Sequence, residues 1–464
     1  MNIYSDCKSC VNVNGHLTGE FLSECGVRQG DTLSPTLFGL YINDLAEELK
    51  NSGHGIKLDG DLTISSLLYA DDLAIIAESE ESLQEMLNVL ENWCKRWRMR
   101  VNVKKTKVIH FRTRTQQQSV FKFSLNNNAL EYVDKYKYLG IVLDEHLDFN
   151  TTASVLAGSA GRALGSISSK FRHLKGLGFK TFTTLYHSGV VPILDYCSSI
   201  WGYQKLDQVD TIQNRAIRFY LGVHKYAPNL AINGDIGWIS SGIRRKVEML
   251  RYWNRLIKMN GNTLTKRVFE WDYGNRKVSG SWNSDIFKLF TTLNKTHCHS
   301  NKELVDLDAA RDYLFDTEMH EWEAEIFAVP KLRTYCLFKN NYRAEPYVYS
   351  VYNRAHRSLL AQLRCGILPI KIETGRYTQV PVEFRLCILC EENAVEDEEH
   401  FLFECKFYES IRNEYYHKLR EHCVHFDDMN CNDRFVFIMS ANVVKTTAEF
   451  IYKCYCKRRE FIYR

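Results

Sequence analysis

Ile64-Ser65-Ser66-Leu67-Leu68-Tyr69-Ala70-Asp71-Asp72-Leu73-Ala74-Ile75-Ile76-Ala77 is the stretch on which the fold turns. The runs Ile64 to Tyr69 and Leu73 to Ala77 are apolar and too short for independent helices. They read as two strands of a hairpin with Ala70-Asp71-Asp72 at its apex. A lone pair of acids at a turn is ordinary, because aspartate favours turns. Adjacent carboxylates at a hairpin apex also suit Mg²⁺, a hard cation that takes oxygen ligands. The neighbouring sequence decides between the two readings.

Upstream, Ser34-Pro35 predicts a helix start, with serine capping free N–H groups and proline at the first helical position. Leu37, Leu40, Tyr41, Leu45 and Leu49 follow at helical spacing, and Gly53 suits the stop. Downstream, Ser82 and Glu85 read as a capping box. Leu83, Met86, Leu87, Leu90, Trp93, Cys94 and Trp97 mark one face of the helix that follows. Two hairpin-like pieces come next, Val101 to Arg112 and Phe121 to Leu143, the second turning at Asn126-Asn127-Asn128. Residues 1–145 therefore form an α+β unit. From 150 to 260, alanine, leucine, lysine and arginine at helical spacing predict an all-α region. Residues 262–345, with Gly261-Asn262 and Gly274-Asn275, read as a linker or a loosely packed helical region. Residues 346–464 carry a Cys/His cluster and end in a helix near Arg434–Arg464.

Three further motifs stand around the hairpin. Gly26-Val27-Arg28-Gln29-Gly30-Asp31-Thr32-Leu33-Ser34-Pro35 precedes it; Val101-Asn102-Val103-Lys104-Lys105-Thr106-Lys107 and Tyr136-Lys137-Tyr138-Leu139-Gly140-Ile141 follow. In order and spacing the set resembles the successive palm motifs of LINE-type reverse transcriptases, the enzymes of non-LTR retrotransposons. The resemblance implies an RNA-directed DNA polymerase whose partners are an RNA template, a DNA primer or target and deoxynucleoside triphosphates. It implies that Asp71 and Asp72 bind the catalytic Mg²⁺ ions, two of which would stabilise the attacking and leaving oxygens. Gln29, Gly30, Ser34, Pro35 and Tyr69 would shape the pocket for template and incoming nucleotide. Lys105 would stand near the leaving pyrophosphate as general acid or charge stabiliser; alone it would read as a solvated strand-end lysine. Tyr138-Leu139-Gly140 would belong to the primer grip.

In this family the palm begins with an earlier strand that bears another metal-binding aspartate. Here Asp6 is the only acid before residue 20, and no aromatic strand precedes it. The expectation is an N-terminally truncated palm without fingers. A misplacement of about 1 Å can cost on the order of 10²-fold in rate, so no measurable polymerase activity is expected from this chain alone.

The region 150–260 resembles the thumb of the same elements, in Tyr186 to Tyr196 and in Leu206 to Arg218. Lysines and arginines at 170–180 and 215–225 suit a duplex backbone, which is read through its charge. Cys387-x2-Cys390-x9-His400-x4-Cys405 has zinc-ligand order, and thiolates with one imidazole favour Zn²⁺ in a closed tetrahedral site. Glu396 to Cys405 resembles the C-terminal knuckle of LINE-type proteins, though its spacer is longer than in retroviral knuckles. The four acids before His400 read as a solvated helix start and a poor phosphate binder. The expected architecture is thus a partial palm, an all-α thumb and a small zinc-knuckle region with a terminal helix.

Composition is that of a globular protein: 45% apolar, 25% charged, with a net charge of only +4, so any basic surface must be local. Fifteen scattered cysteines, an odd count, with no signal peptide at the start, read as reduced thiols and one metal site rather than a disulfide framework. The longest uncharged apolar stretch, Thr181 to Leu194, is too short for a membrane span. A nuclear or cytoplasmic protein with no membrane segment is expected. The competing reading is a non-catalytic nucleic-acid-binding or scaffold remnant that keeps the thumb and the knuckle.

Overall fold

The computed structural model describes residues 7–22, 26–58, 62–275 and 280–462. Asp6 lies outside the described residues. The chain divides into two compact units: Met1–Asp148 with Asn260–Asn275, and Phe149–Met259 with Arg276–Arg464. It is mixed α/β and mostly helical, and every strand that has been described lies in the first unit.

In the first unit, strand Ser66–Tyr69 pairs antiparallel with Asp72–Ile75, and Lys135–Tyr138 pairs antiparallel with Ile141–Asp144. Among the described residues no sheet exceeds two strands. The predicted helices are present as Ser34–Asn51 and Glu80–Trp97. Leu45 and Leu49 of the first pack with Met86, Leu87, Leu90, Trp93 and Cys94 of the second. Trp93 Nε1–H donates to Asp44 Oδ1 at 3.1 Å, and Tyr41 O–H donates to the Trp97 carbonyl at 2.7 Å, so the polar edges of the two rings fix the pairing. Leu37 and Leu40, expected on the same stripe, are exposed.

Several local readings change. The second helix is capped three residues earlier than expected, by Ser79, whose Oγ accepts from Ser82 N–H; this places Glu80 and Glu81 in the first turn, where the helix dipole favours acids. Ser34 does not cap its helix. Its hydroxyl donates to the Arg28 carbonyl at 2.6 Å instead. Val101 to Arg112 is not a hairpin: it opens with a turn on Asn102 and contributes only Lys107–Val108, which runs parallel to Glu131–Tyr132. The asparagine turn holds, with Asn126 and Asn127 at φ of 50° and 59°, the conformation a two-residue hairpin loop requires.

The second unit is helical, with a large core that runs from Ala153 to Cys454. Helices Asn150–His173, Asp207–Leu221, Arg354–Arg364 and Val444–Ile462 supply much of it. The stretch 262–345 is largely ordered helix, including Trp282–Thr292 and Leu307–Phe327. Trp322 is buried, and its Nε1–H donates to the Leu230 carbonyl at 2.9 Å. The end of the chain is two helices, Cys431–Ile438 and Val444–Ile462, in place of one. No helix of the described residues is long and apolar enough to cross a membrane.

A charged knot sits inside this core. Asp235 accepts from Arg364 at 2.9 and 2.8 Å, from Tyr347 O–H at 2.8 Å and from Tyr335 O–H at 3.2 Å. Glu345 takes a second contact from Arg364 at 2.9 Å and one from Lys339 at 2.5 Å. Burial opposes the charge on Asp235, but the Arg364 guanidinium outweighs it and holds the carboxyl below its ordinary range.

Candidate functional site

The register of the hairpin places Tyr69 opposite Asp72, leaving Ala70 and Asp71 as a two-residue turn. Ala70 takes φ of 51°. A left-handed conformation costs a residue with a side chain roughly 1–2 kcal/mol, and such strain concentrates at functional turns. Asp71 and Asp72 are both exposed at the tip. Among the described residues no ion pair or side-chain hydrogen bond engages either carboxylate, which leaves adjacent oxygen donors open to a hard cation. Among those residues, too, no third His, Cys, Asp or Glu joins them in a ligand cluster.

The tyrosine hairpin links the tip to the lysine. Burial, with the Asp72 carboxylate adding to it, raises the Tyr138 phenol above its ordinary range, so the two groups are electrostatic neighbours. Tyr136, two residues earlier on the same strand, shares a face with Tyr138. Its hydroxyl donates to the Lys105 carbonyl at 3.2 Å. Lys105 is exposed, on a turn whose Lys105 and Thr106 N–H groups both donate to the Asn102 carbonyl at 3.0 Å. The turn of the tyrosine hairpin is Leu139 and Gly140, at φ of 46° and 89°.

Gln29 and Gly30 lie in a tight turn leading into helix Ser34–Asn51, which begins with Ser34 and Pro35 and packs against strand Ser66–Tyr69. Gly30 has φ of 88° and open space where a Cβ would sit. Backbone conformation is therefore what demands glycine there. Tyr69, beside the tip, is 66% exposed.

The four predicted zinc ligands converge. Cys387 Sγ lies 3.8 Å from Cys405 Sγ, and Cys390 Sγ lies 3.4 Å from His400 Nε2. All four donor atoms fall within 4.8 Å of one another. A tetrahedron built on bonds of about 2.3 Å to sulfur and about 2.0 Å to nitrogen has edges of roughly 3.8 and 3.5 Å, so the donor set fits Zn²⁺. A hydrogen bond with the Cys405 thiol holds Cys387 well below the ordinary thiol range and pushes Cys405 up. Of the four acids before His400, Asp397 caps the helical turn, accepting from His400 N–H at 2.9 Å, and Glu399 is exposed, but the other two are not solvated. Glu396 and Glu398 are buried, paired with Arg458 and Arg333, because a carboxylate in a core needs a cation. Glu396 also stands 3.8 Å from Cys387 Sγ, and Arg412 donates to the Cys405 carbonyl. Nor is the cluster a separate small domain: Phe401, Leu402 and Cys405 belong to the main core. Sequence reading missed Tyr136, whose alternation with Tyr138 was the available signal. It also missed Arg458 and a second group, His297, Cys298 and Glu303, for which no spacing rule existed.

A carboxylate pair at a left-handed hairpin tip thus stands beside a tyrosine hairpin, which a hydrogen bond joins to a lysine turn. Residues 2–143 match the family described as Reverse transcriptase (RNA-dependent DNA polymerase). That match, with the relatives below, supports a reading as a LINE-type reverse transcriptase of non-LTR retrotransposons. The chain is similar to the RNA-directed DNA polymerase from mobile element jockey of Drosophila funebris, 25% identical over 56% of this chain and 29% of that protein. It is similar as well to the probable RNA-directed DNA polymerase from transposon BS of Drosophila melanogaster, at 26% over 57% and 29%. A shorter match, 31% identical over 30% of this chain and 14% of the relative, is to the Pol polyprotein of the retrotransposable element R2DM of Drosophila melanogaster. The chain thus spans about three tenths of the length of the first two relatives.

Proposed function

We propose that the first unit serves RNA-directed DNA synthesis, with Asp71 and Asp72 as the carboxylates that hold Mg²⁺. The observation that carries this is the exposed, unengaged carboxylate pair beside Tyr138. Bound there, Mg²⁺ would neutralise charge on the triphosphate and lower the barrier to attack by a primer hydroxyl. The chain's own residues have separate tasks. Asp71 and Asp72 would hold the cation, and Lys105 holds a proton or a positive charge near the departing pyrophosphate. Tyr138, Leu139 and Gly140 position the primer end, and Gln29, Gly30, Ser34, Pro35 and Tyr69 shape the base and template pocket. Residues 150–260 act as thumb, and the Cys387–Cys405 cluster holds a structural Zn²⁺. The partners are an RNA template, a DNA primer or target and deoxynucleoside triphosphates.

Calorimetric titration of dTTP in Mg²⁺ tests the reading. One site per chain is expected, weakened at least about tenfold, or 1.4 kcal/mol, by Asp71→Ala; equal binding by the variant would overturn it. Primer extension on poly(A) is expected to stay below detection, since two carboxylates from one hairpin provide only part of a two-metal clamp. Clear incorporation abolished by Asp71→Ala would show that clamp to be complete.

A further inference from the structure

The charge of this chain is concentrated where its overall balance hides it. Residues 149–194 contain no Asp or Glu and five cations, Arg162, Lys170, Arg172, Lys175 and Lys180, so that one stretch outweighs the net +4 of the entire chain. Residues 346–372 are likewise free of acids and include Arg354. The fold of the second unit brings these two acid-free segments together. Arg172, in the last turn of helix Asn150–His173, has its guanidinium 5.7 Å from the centre of the Phe219 ring. Arg354, in the first turn of helix Arg354–Arg364, has its own 5.0 Å from the same ring and donates to the Phe219 carbonyl at 3.1 Å. Both arginines are exposed, and among the described residues neither has a carboxylate partner.

Two guanidiniums gathered on one aromatic ring with no acid between them form a receptor for an anion. The arrangement is built in. Arg357, buried one turn further along, donates to the Tyr220 carbonyl at 3.2 and 3.1 Å and to the Val351 carbonyl at 2.9 Å. It thereby ties the end of helix Asp207–Leu221 to the loop that presents Arg354. That loop also carries Tyr352, 77% exposed, and the short helix Pro346–Ser350 before it carries Tyr349, 43% exposed. Cationic groups beside solvent-facing aromatic rings suit a single strand, whose bases stack on rings while its backbone follows the charge. A duplex keeps its bases from such stacking.

We infer that Arg172, Phe219 and Arg354, with Tyr352 on the adjoining loop, bind the backbone of single-stranded RNA. The choice of RNA rests on the function proposed above; the anion site itself does not. Fluorescence anisotropy of a labelled 20-nucleotide single-stranded RNA, without Mg²⁺ or nucleotide, tests it on the whole chain. The variant Arg172→Ala/Arg354→Ala is compared with Lys418→Ala/Arg420→Ala, whose cations are already paired with Glu414 and Asp427. Expected are at least about a tenfold loss of affinity in the first variant and a salt slope shallower by about 1.4, for two phosphate contacts at about 0.7 each. The control variant should stay within about twofold, and both should keep the helical circular dichroism of the parent. Tyr352→Ala should weaken binding several-fold with no change in salt slope. Absence of RNA binding by the parent, equal loss in both variants, or tighter binding of duplex DNA would overturn the inference. Absence of dTTP binding by the parent, or dTTP binding unchanged by Asp71→Ala, with intact RNA binding at the arginines would sink only the polymerase reading.

Discussion

Ala70 keeps a methyl group at a left-handed φ that glycine adopts without steric cost. The hairpin tip therefore stores strain next to the two carboxylates proposed to hold metal, and the paired strands on either side keep it there. A second residue under constraint, Asp235, is buried among Arg364, Tyr335 and Tyr347. Replacing it by alanine strands the charge on Arg364. Asp235→Ala should lower the stability of the second unit by about 3–5 kcal/mol, read as a fall in the urea midpoint. Because Arg364 depresses the Asp235 pKa below its ordinary 3.8, the stabilisation is complete above that pH and lost as pH falls through the lower folded value. Acid unfolding below about pH 3.8 should accordingly be steeper in the parent than in Asp235→Ala.

At the scale of elements, the Cys/His cluster shows what a sequence can and cannot reveal. Ligand order and spacing exposed Cys387, Cys390, His400 and Cys405, because metal chemistry restricts residue type. The environment stayed hidden. Glu396 and Glu398 look solvated in sequence, and their partners Arg458 and Arg333 lie 62 and 65 residues away. The same contrast holds in the first unit. Short-range signals gave the hairpin, the asparagine turn and both long helices, whereas the cap at Ser79 competed with an equally plausible serine at position 82. Helix Leu307–Phe327 escaped notice because acids such as Asp312, Asp316, Glu318 and Glu323 surround it, and only tertiary contacts show which side packs. Since the cluster sits within the main core, removing zinc should do more than loosen a knuckle. About one zinc per chain is expected, absent from Cys387→Ser, and chelation should lower the melting temperature of the second unit by several degrees. Unchanged melting after complete zinc removal would assign the ligands a non-structural role.

For the whole molecule, two units divide the work proposed for it: a mixed α/β unit with the carboxylate hairpin, and a helical unit with the zinc ligands and the arginine site. The reverse-transcriptase resemblance was legible because Asp71, Lys105 and Tyr138 stand in a shared order, and the match over residues 2–143 supports that resemblance. The arginine site was legible only in part: Arg172 stood among the cations at 170–180, but Arg354 is distant in sequence and meets it only across Phe219. The proposal with most resting on it is that Asp71-Asp72 is a metal site and not an ordinary acidic turn. Iron-directed backbone cleavage decides this directly. With Fe²⁺ in place of Mg²⁺ and ascorbate with peroxide as the radical source, the polypeptide should be cut around residues 69–73. That cut should be suppressed by excess Mg²⁺ and absent from Asp71→Ala/Asp72→Ala. Cleavage that avoids the hairpin, or that persists there in the double variant, would contradict it.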